Sequence, residues 1–298
     1  MIYSDVEQTV FSDGLSEFFK VFEVIPIAFG HQKKDPRAWC KDRITGSFEI
    51  VFVLSGDSLI TIQDKRYRVE PSQMVIIPPF VRHSIETSAQ NPHDNFWLHF
   101  DIIPFYKQQE LLRSLIRGEE YCFSVGEKEI VQRIFESLER EMQSCEQGKF
   151  VMAALLIKQL LLHLARDGQQ GGHAFFVHCE EKHTLLRAIT QYMEEHIADS
   201  IQAQDICREF GLSRSGFYKL FRELVGMSPT DFLMRIRLRK AEIMLKAQNK
   251  TISQISDELG FSNPYYFSKC FKDSYKKSPK AYRQEFKKNQ NYMFYDQW

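Results

Sequence analysis

The sequence predicts a two-domain α+β protein, in which an N-terminal β-barrel with a helical segment precedes an all-α domain containing two helix-turn-helix motifs. Three observations support this prediction. Short runs of β-branched and aromatic residues recur up to about residue 103. The hydrophobic period then changes to that of helices. One helical pattern is finally repeated within the last part of the chain.

The two parts of the 298-residue chain differ in net charge. The whole chain has an ordinary globular composition, with 43% hydrophobic and 26% charged residues and a formal net charge of zero. Residues 1–183 contain 20 Lys and Arg against 26 Asp and Glu, whereas residues 184–298 contain 19 against 13. The basic C-terminal part indicates a polyanionic partner.

The cysteines and the apolar runs indicate the compartment. Six cysteines are scattered without a Cys-x-x-Cys pair, a usage typical of the reducing cytoplasm. The N-terminus "MIYSDVEQTVFSDG" lacks the basic and apolar regions of a signal peptide. The most apolar run, at 150–165, is broken by Lys158 and Gln159 and is too short to cross a bilayer. We therefore expect a cytoplasmic protein without a membrane segment.

The N-terminal part is predicted to consist of short strands. The segments "FEIVFVLSG" and "SLITIQD" are separated by turn residues, and "KRYRVEPSQMVIIPP" continues with a strand, a proline turn and another strand. The segment "NFWLHFDI" alternates in the same way. Many short strands at even spacing indicate a small barrel or a sandwich.

Two predicted helices follow the strands. In "EKEIVQRIFESLEREMQSC" an apolar residue recurs every four positions, and "KFVMAALLIKQLLLHLARDG" is apolar nearly all round. This pair either caps the β domain or forms a dimer interface, and we expect a homodimer through residues 127–166. The Gly- and Gln-rich segment 167–183 is interpreted as a linker. The predicted domains are therefore a sensor and dimerisation domain at 1–166 and a second domain at 184–298.

The second domain contains the internal repeat. The segments "DICREFGLSRSGFYKLFRELVGMSPTDF" and "QISDELGFSNPYYFSKCFKDSYKKSPKAY" superimpose with a one-residue insertion. Each reads as a short helix, a glycine, a turn and a second helix, which is the helix-turn-helix order. Gly211 and Gly260 stand where a helix ends in a left-handed conformation. Ser213 and Asn263 are predicted N-caps of the second helices, with Pro264 at the first helical position.

Helical spacing divides each second helix into two faces. The predicted buried stripes are Phe217, Leu220, Phe221 and Leu224 in the first unit and Phe267, Cys270, Phe271 and Ser274 in the second. The outward residues are short, basic or tyrosine side chains that can donate to base edges and neutralise phosphates. Solvated surface residues would look the same, but the duplication favours DNA. One connecting helix would place the two second helices in major grooves about one turn, roughly 34 Å, apart.

The C-terminal domain resembles the arabinose-regulator (AraC/XylS) type of bacterial transcription factors. The resemblance is carried by the repeat, by "RIRLRKAEIML" and by "ISQISDELGFSNPYYFSKCFKDSYKKSPKAYR". It implies seven helices and DNA contact by the second helix of each motif. Together with the charge of the outward faces, it gives as DNA-binding residues Ser215, Tyr218, Lys219, Arg222, Pro264, Tyr265, Ser268, Lys269 and Lys272.

The segments "SQMVIIPPFVRHSIE" and "FWLHFD" resemble the sensor domain of the same family, a cupin-like β-barrel. The alternative is a metal-dependent cupin enzyme, which usually binds its metal through a His-x-His pair, a Glu and a later His. Here His83 fits the later His, but "FEIVFVLSG" has no His-x-His pair. We therefore expect no catalytic residue, metal or cofactor. The residues expected to contact a ligand are His31, Trp39, Arg43, Phe52, His83 and Trp97, with Arg43 and His83 suited to an anionic or hydroxylated ligand.

These observations predict a sequence-specific DNA-binding transcription regulator. A small-molecule effector in the barrel would change the arrangement of paired C-terminal domains and hence the occupied half-sites. The expected partners are double-stranded DNA, an unknown effector, a second copy of the chain and RNA polymerase, consistent with an activator.

Overall fold

The computed structural model describes residues 14–33, 40–88, 90–116, 120–169, 180–199, 201–247 and 249–288. The first domain opens with helix α1 (Gly14–Lys20), and its nine described strands are β1 (Glu23–Lys33), β2 (Cys40–Arg43), β3 (Phe48–Ser55), β4 (Ser58–Ile62), β5 (Lys65–Val69), β6 (Gln73–Ile77), β7 (His83–Thr87), β8 (Asp94–Ile103) and β9 (Cys122–Ser124). A helix α2 (Gln108–Leu115) lies between β8 and β9, and α3 (Lys128–Gln143) and α4 (Lys149–Gln169) complete the domain.

The described strands form two antiparallel sheets and not the closed barrel that the sequence suggested. One sheet has the order β1-β8-β3-β6-β9 and the other the order β2-β7-β4-β5. The burial of strand β3 accounts for this arrangement of two packed sheets. Residues 48–53 of the strand are buried on both of its faces. One face of such a strand needs a second sheet and the other needs a layer of helices. The two-domain α+β layout itself is confirmed.

Helices α3 and α4 cover the outer face of the five-stranded sheet. The ring centroids of Phe52 and Phe96 lie 5.5 and 5.3 Å from that of Phe135 on α3. On the opposite face of the same strands, Val51 and Trp97 pack with Ile60 and other residues of the second sheet. The helix pair therefore caps the β domain, which was one of the two alternatives. No helix among the described residues has the length and apolar character needed to cross a membrane.

The second domain consists, in its described residues, of seven helices. They are α5 (Glu180–Glu195), α6 (Ala203–Glu209), α7 (Arg214–Leu224), α8 (Pro229–Ala247), α9 (Ile252–Glu258), α10 (Pro264–Tyr275) and α11 (Pro279–Lys288). Helix α4 continues to Gln169, and residues 170–179 of the predicted linker lie outside the described residues. The predicted domain boundaries stay a prediction.

Local sequence signals position the second helix of each motif. The side-chain oxygens of Ser213 and Asn263 accept hydrogen bonds from the backbone N–H of Gly216 and Tyr266, at 3.1 and 2.8 Å. Gly260 has φ +67°, and a Cβ there would lie 2.5 Å from the carbonyl oxygen of Ala198. Glycine is therefore required both by the backbone and by the close approach of the loop that follows α5.

The predicted buried stripes are confirmed for the large side chains. All four stripe residues of α7 are buried, and Phe267 and Phe271 of α10 are fully buried. Cys270 and Ser274 are only half-buried, because they lie at the margin of the stripe. The helix α8 that joins the two units has 19 residues, which corresponds to a length of about 28 Å.

Candidate nucleic-acid interface and effector site

The outward face of α7 carries the residues predicted for the first unit. Ser215, Lys219 and Arg222 are exposed, whereas Tyr218 is half-buried. The Lys219 side chain is 76% exposed, and its Nζ lies 3.7 Å from the Glu223 carboxylate. A DNA phosphate would therefore compete with Glu223 for this lysine.

The outward face of α10 carries the residues predicted for the second unit. Tyr265 is 81% exposed, Lys269 and Lys272 are exposed, and Pro264 and Ser268 are half-buried. All nine predicted DNA-binding residues thus lie on α7 or α10 and are at least partly accessible. The two helices expose polar and basic groups around one or two tyrosines, a composition suited to phosphate and base-edge contacts.

Tyr266 is a candidate contact that the sequence reasoning did not assign. It lies next to Tyr265 and is 43% exposed, although its ring also approaches Phe261 with a centroid distance of 6.3 Å. A hydrogen bond with Cys270 raises the pKa of its hydroxyl. The sequence does contain a signal for this contact, because two tyrosines are adjacent at the start of the helix. Neighbouring residues point in different directions around a helix, so both tyrosines cannot be buried on one face.

The two polar residues first selected for ligand contact meet around a third, Glu49. Nη2 of Arg43 lies 2.5 Å from Oε1 of Glu49, and Nε2 of His83 lies 3.0 Å from Oε2. Nε of Arg43 also lies 3.3 Å from Nε2 of His83. His99 adds its Nε2 at 3.6 Å from Glu49 Oε1, with Nδ1 at 3.3 Å from Ser47 Oγ. We call Arg43, Glu49, His83 and His99 the Glu49 cluster.

Burial and charge pairing decide the protonation of the Glu49 cluster. Burial alone would raise the pKa of Glu49, but Arg43, followed by His99 and His83, holds it well below its ordinary value. Burial lowers the pKa of His99 to about 3, so its imidazole is neutral at physiological pH. The pKa of Arg43 is raised because Glu49 outweighs the effect of burial. The cluster is therefore a buried carboxylate–guanidinium pair flanked by histidines.

Sequence reasoning missed Glu49 and His99. Both lie on the inner face of the five-stranded sheet, where they are direct partners in the register of β3 and β8. The sequence does contain a signal for Glu49, namely a single carboxylate in the otherwise apolar segment "FEIVFV". Because an unpaired buried charge is rare, such a carboxylate indicates a cationic or hydrogen-bonding partner nearby. Within the described residues, no group of three or more His, Cys, Asp or Glu side chains could hold a metal ion.

Three further predicted ligand residues lie within the described part of the chain. The ring of His31 lies between two carboxylates, with Nε2 2.7 Å from Asp94 and Nδ1 3.1 Å from Glu139 of α3. Phe52 belongs to the core beneath the helices, whereas Trp97 belongs to the core between the sheets, where its ring lies edge-on to that of His99 at 5.8 Å. Trp39 lies outside the described residues. Trp97 therefore borders the Glu49 cluster, whereas His31 and Phe52 do not.

A cavity of about 80 Å³ lies beside the Glu49 cluster, between the two domains. Its polar wall includes Arg43 and His99 from the first domain and Lys246, Lys277 and Glu285 from the second. Its apolar wall includes Ala28, Ile44 and Phe286. Arg43, Lys246 and Lys277 each already pair with a carboxylate. A bound anion would share these cations with their present partners.

A β-rich domain joined to paired helix-turn-helix units with exposed basic helices defines a ligand-responsive, DNA-binding transcription regulator. Residues 28–165 match the AraC-like ligand binding domain, and residues 206–285 match a helix-turn-helix domain. The chain therefore belongs to the AraC family of transcription regulators, as the sequence resemblance predicted.

Relatives with described roles span most of the chain. The Msm operon regulatory protein of Streptococcus mutans is 24% identical over 88% of this chain and 92% of its own length. The transcriptional activator RhaR of Yersinia pseudotuberculosis is 25% identical over 80% of this chain and 82% of its own length. The fold resembles ToxT of Vibrio cholerae, at 17% identity with a TM-score of 0.52, over 90% of this chain and 98% of that one.

Proposed function

We propose that this regulator reads DNA with α7 and α10 together, through the nine outward residues of the two helices. The observation that supports the proposal is the division of each helix into a buried aromatic stripe and an exposed polar face. Because α8 joins the two units, the exposed faces of α7 and α10 could enter two successive major grooves on one side of the DNA. Base contacts would supply the sequence specificity. The lysines and arginines would supply a large, salt-dependent part of the binding free energy.

Lys269→Ala in the full chain is expected to weaken binding to a cognate duplex about 5- to 10-fold and to lower the slope of log affinity against log salt by about 1. The reason is the loss of one phosphate contact from α10. The duplex is recovered by the wild-type protein from random-sequence DNA, and fluorescence anisotropy measures affinity at several salt concentrations. Lys20→Ala, a surface lysine of α1, is the matched control. Weak wild-type binding that is insensitive to Lys269→Ala would reject the proposal.

The effector is proposed to be an amphipathic anion that occupies the cavity beside the Glu49 cluster. The cavity combines three cationic side chains with an apolar wall, which suits a carboxylate attached to a hydrocarbon group. Arg43 lines this cavity at the edge of the sensor domain, and it therefore remains a proposed ligand contact. An unsaturated fatty acid is the ligand named for one ToxT structure of Vibrio cholerae; the cavity of about 80 Å³ in this chain suits a short-chain carboxylate such as butyrate, which is the first probe.

Butyrate is expected to raise the melting temperature of the wild-type protein, since a ligand that binds the native state stabilises it. 1-Butanol, which lacks the charge, is expected to have little effect. Lys277→Gln should weaken the response to butyrate about fivefold, measured as the concentration at half-maximal shift, because it removes one cation from the cavity. An equal response to butyrate and the alcohol, or no response to either, would contradict the proposed effector class.

The homodimer is proposed to form through the exposed side of α4. Val151, Met152 and Leu155 are 66%, 48% and 57% exposed, an unusual apolar concentration on the outer surface of a helix. A second copy of the same face would cover these side chains in a symmetric contact.

Leu155→Glu is therefore expected to shift the protein from dimer to monomer in sedimentation velocity at micromolar concentration. The introduced charge would have to be buried in the contact. Gln90→Glu, in the exposed loop before β8, is the control for added charge and is expected to leave the dimer intact. A wild-type chain that sediments as a monomer would remove this interface from consideration.

We further propose a cytoplasmic activator without catalytic activity that works with RNA polymerase, as the name of the RhaR relatives suggests. Run-off transcription with purified polymerase distinguishes activation from repression by the direction of the change in transcript. Stoichiometric metal in the purified protein would instead favour the cupin-enzyme alternative.

A further inference from the structure

A single buried carboxylate, that of Glu242 on α8, joins the second helix-turn-helix unit to the first domain. Glu242 is fully buried, and its oxygens accept hydrogen bonds from Lys246 Nζ at 2.6 Å and from Arg239 Nη1 at 2.7 Å. The hydroxyls of Tyr282 and Tyr275 donate to it at 2.7 and 3.0 Å. Burial alone would raise its pKa, but Lys246 and Arg239 hold the pKa well below its ordinary value, so the group is ionised.

The first domain contributes two residues to this network. The backbone N–H of Gly46, in the loop between β2 and β3, donates to Glu242 at 3.1 Å. Asp101 on β8 accepts a hydrogen bond from Arg239 Nε at 2.5 Å, and both side chains are almost completely buried. Asp101 is itself held by the Gln108 amide at 2.8 Å. The interdomain contact is therefore made of directional, charge-assisted hydrogen bonds.

On the other side of Glu242, the network ends on the second recognition helix. Tyr275 is the last residue of α10, and its ring stacks on Phe271 at 4.3 Å. Tyr282 of α11 contacts the same Phe271 ring at 5.5 Å. The ring of Phe80, from the first domain, reaches Tyr275 at 5.6 Å. Glu242 is therefore linked to the end of α10 through the hydroxyl and the ring of Tyr275.

Near the first unit, the contact with the sensor domain has a different character. The loop after α7 meets the first domain around Phe105, Gln109, Val225 and Met227, and a Cβ at Gly226 would have its nearest neighbour, Gln109, at 3.7 Å. Apolar side chains predominate there, and packing of this kind defines distances less closely than hydrogen bonds do. The hydrogen-bonded network around Glu242, in contrast, defines distances and angles closely.

We propose that Asp101 and Gly46 are positioning residues for the second recognition helix, which act through Glu242 and Tyr275. The sensor domain thereby sets the placement of α10 more tightly than that of α7. Control of one half-site is thereby assigned to particular residues of the sensor domain, in addition to the DNA contacts and the effector class proposed above. A movement of the sensor domain would change the half-site under α10 first.

Three variants of the full chain disturb the network in chemically different ways. Gly46→Ala places a Cβ 2.4 Å from both Glu242 Oε2 and the Tyr275 hydroxyl, without a change of charge. Asp101→Asn removes one of the two carboxylates that pair with Arg239, and Tyr275→Phe removes one hydroxyl but keeps the stacked ring. Asp64→Asn, which removes one of the two exposed carboxylates that pair with Arg82, is the matched control.

Amide hydrogen exchange without DNA is the first measurement. In all three network variants, exchange over residues 264–288 is expected to accelerate about 10-fold, with less than about a twofold change over residues 214–224. The control variant should leave both segments unchanged. Equal acceleration of the two segments would indicate general destabilisation, and unchanged exchange would indicate no positioning role; either result overturns the proposal. Tyr275→Phe, the mildest change, serves if Asp101→Asn does not fold.

The second measurement resolves the two half-sites on DNA. Hydroxyl-radical footprints are recorded on the selected duplex, and Lys219→Ala and Lys269→Ala identify the half-sites of α7 and α10. The network variants are expected to weaken protection of the α10 half-site about 5- to 10-fold relative to the α7 half-site. A uniform loss at both would contradict the inference. If neither lysine variant alters either half-site, the proposed DNA contacts fail, while the exchange experiment still decides the positioning role.

Discussion

Phe271→Ala is expected to lower the free energy of unfolding of the C-terminal domain by about 3–5 kcal/mol, through lost apolar burial and the cavity left behind. The ring is fully buried. Its centroid lies 4.3 Å from that of Tyr275 and 5.8 Å from that of Phe267, so the cavity would open in the middle of the second unit. Because the stripe also holds α10 in place, DNA contact by this helix should be lost with it.

Urea unfolding followed by circular dichroism at a helical wavelength measures the effect. Tyr265→Ala, which truncates an 81% exposed aromatic on the same helix, is the matched control and is expected to change stability by less than about 0.5 kcal/mol. Phe271→Leu keeps much of the volume and should recover most of the loss. A cost for Phe271→Ala as small as that of Tyr265→Ala would mean that the two faces of α10 have been assigned incorrectly.

Glu49→Gln is expected to destabilise the N-terminal domain by about 3–5 kcal/mol, because it leaves a largely buried guanidinium without its counter-charge. The side chain of Arg43 is only 26% exposed and that of Glu49 is fully buried. Since the pKa of Glu49 is lower in the folded state than in the unfolded state, this contribution is fully present above its unfolded pKa. It is lost as the pH falls below about 4.5, so the difference between wild type and variant should narrow there.

Trp97, which lies between the two sheets, provides a fluorescence signal for unfolding of this domain. Glu86→Gln on strand β7 of the other sheet, where the carboxylate is exposed, is the matched control. The double variant Arg43→Met with Glu49→Met should be more stable than Glu49→Gln alone, because it removes both charges. If the single and double variants cost the same, the Arg43–Glu49 pair is not the source of the effect.

The C-terminal domain could be predicted in detail because its signals are local. Asn263 and Pro264 define where α10 begins, within four residues of Gly260, the left-handed glycine that follows α9. The spacing of Phe267 and Phe271 then determines the buried face without knowledge of any other element. Such short-range rules do not depend on the rest of the chain, so they are visible in a single sequence.

The Glu49 cluster could be predicted only in part, because its members come from four strands that are distant in sequence. Arg43 and His83 were selected for their chemistry alone, whereas the pairing of Glu49 with His99 becomes apparent only when β3 lies beside β8. Strand pairing over such separations is not encoded in local periodicity. The same limit explains why the sequence predicted a closed barrel where the structure has two sheets. Closure of a barrel depends on which strands remain at the sheet edges, and this is not visible in local periodicity.

The separation of faces on α10 has a consequence for how this regulator can diversify. Tyr265, Ser268 and Lys269 contribute little to the hydrophobic core, while Phe267 and Phe271 contribute almost nothing to the surface. Substitutions on the outward face are therefore nearly free of a folding penalty. New operator preferences can accumulate there one residue at a time, on a scaffold whose stability stays constant, and the same face offers a place to graft the specificity of another regulator.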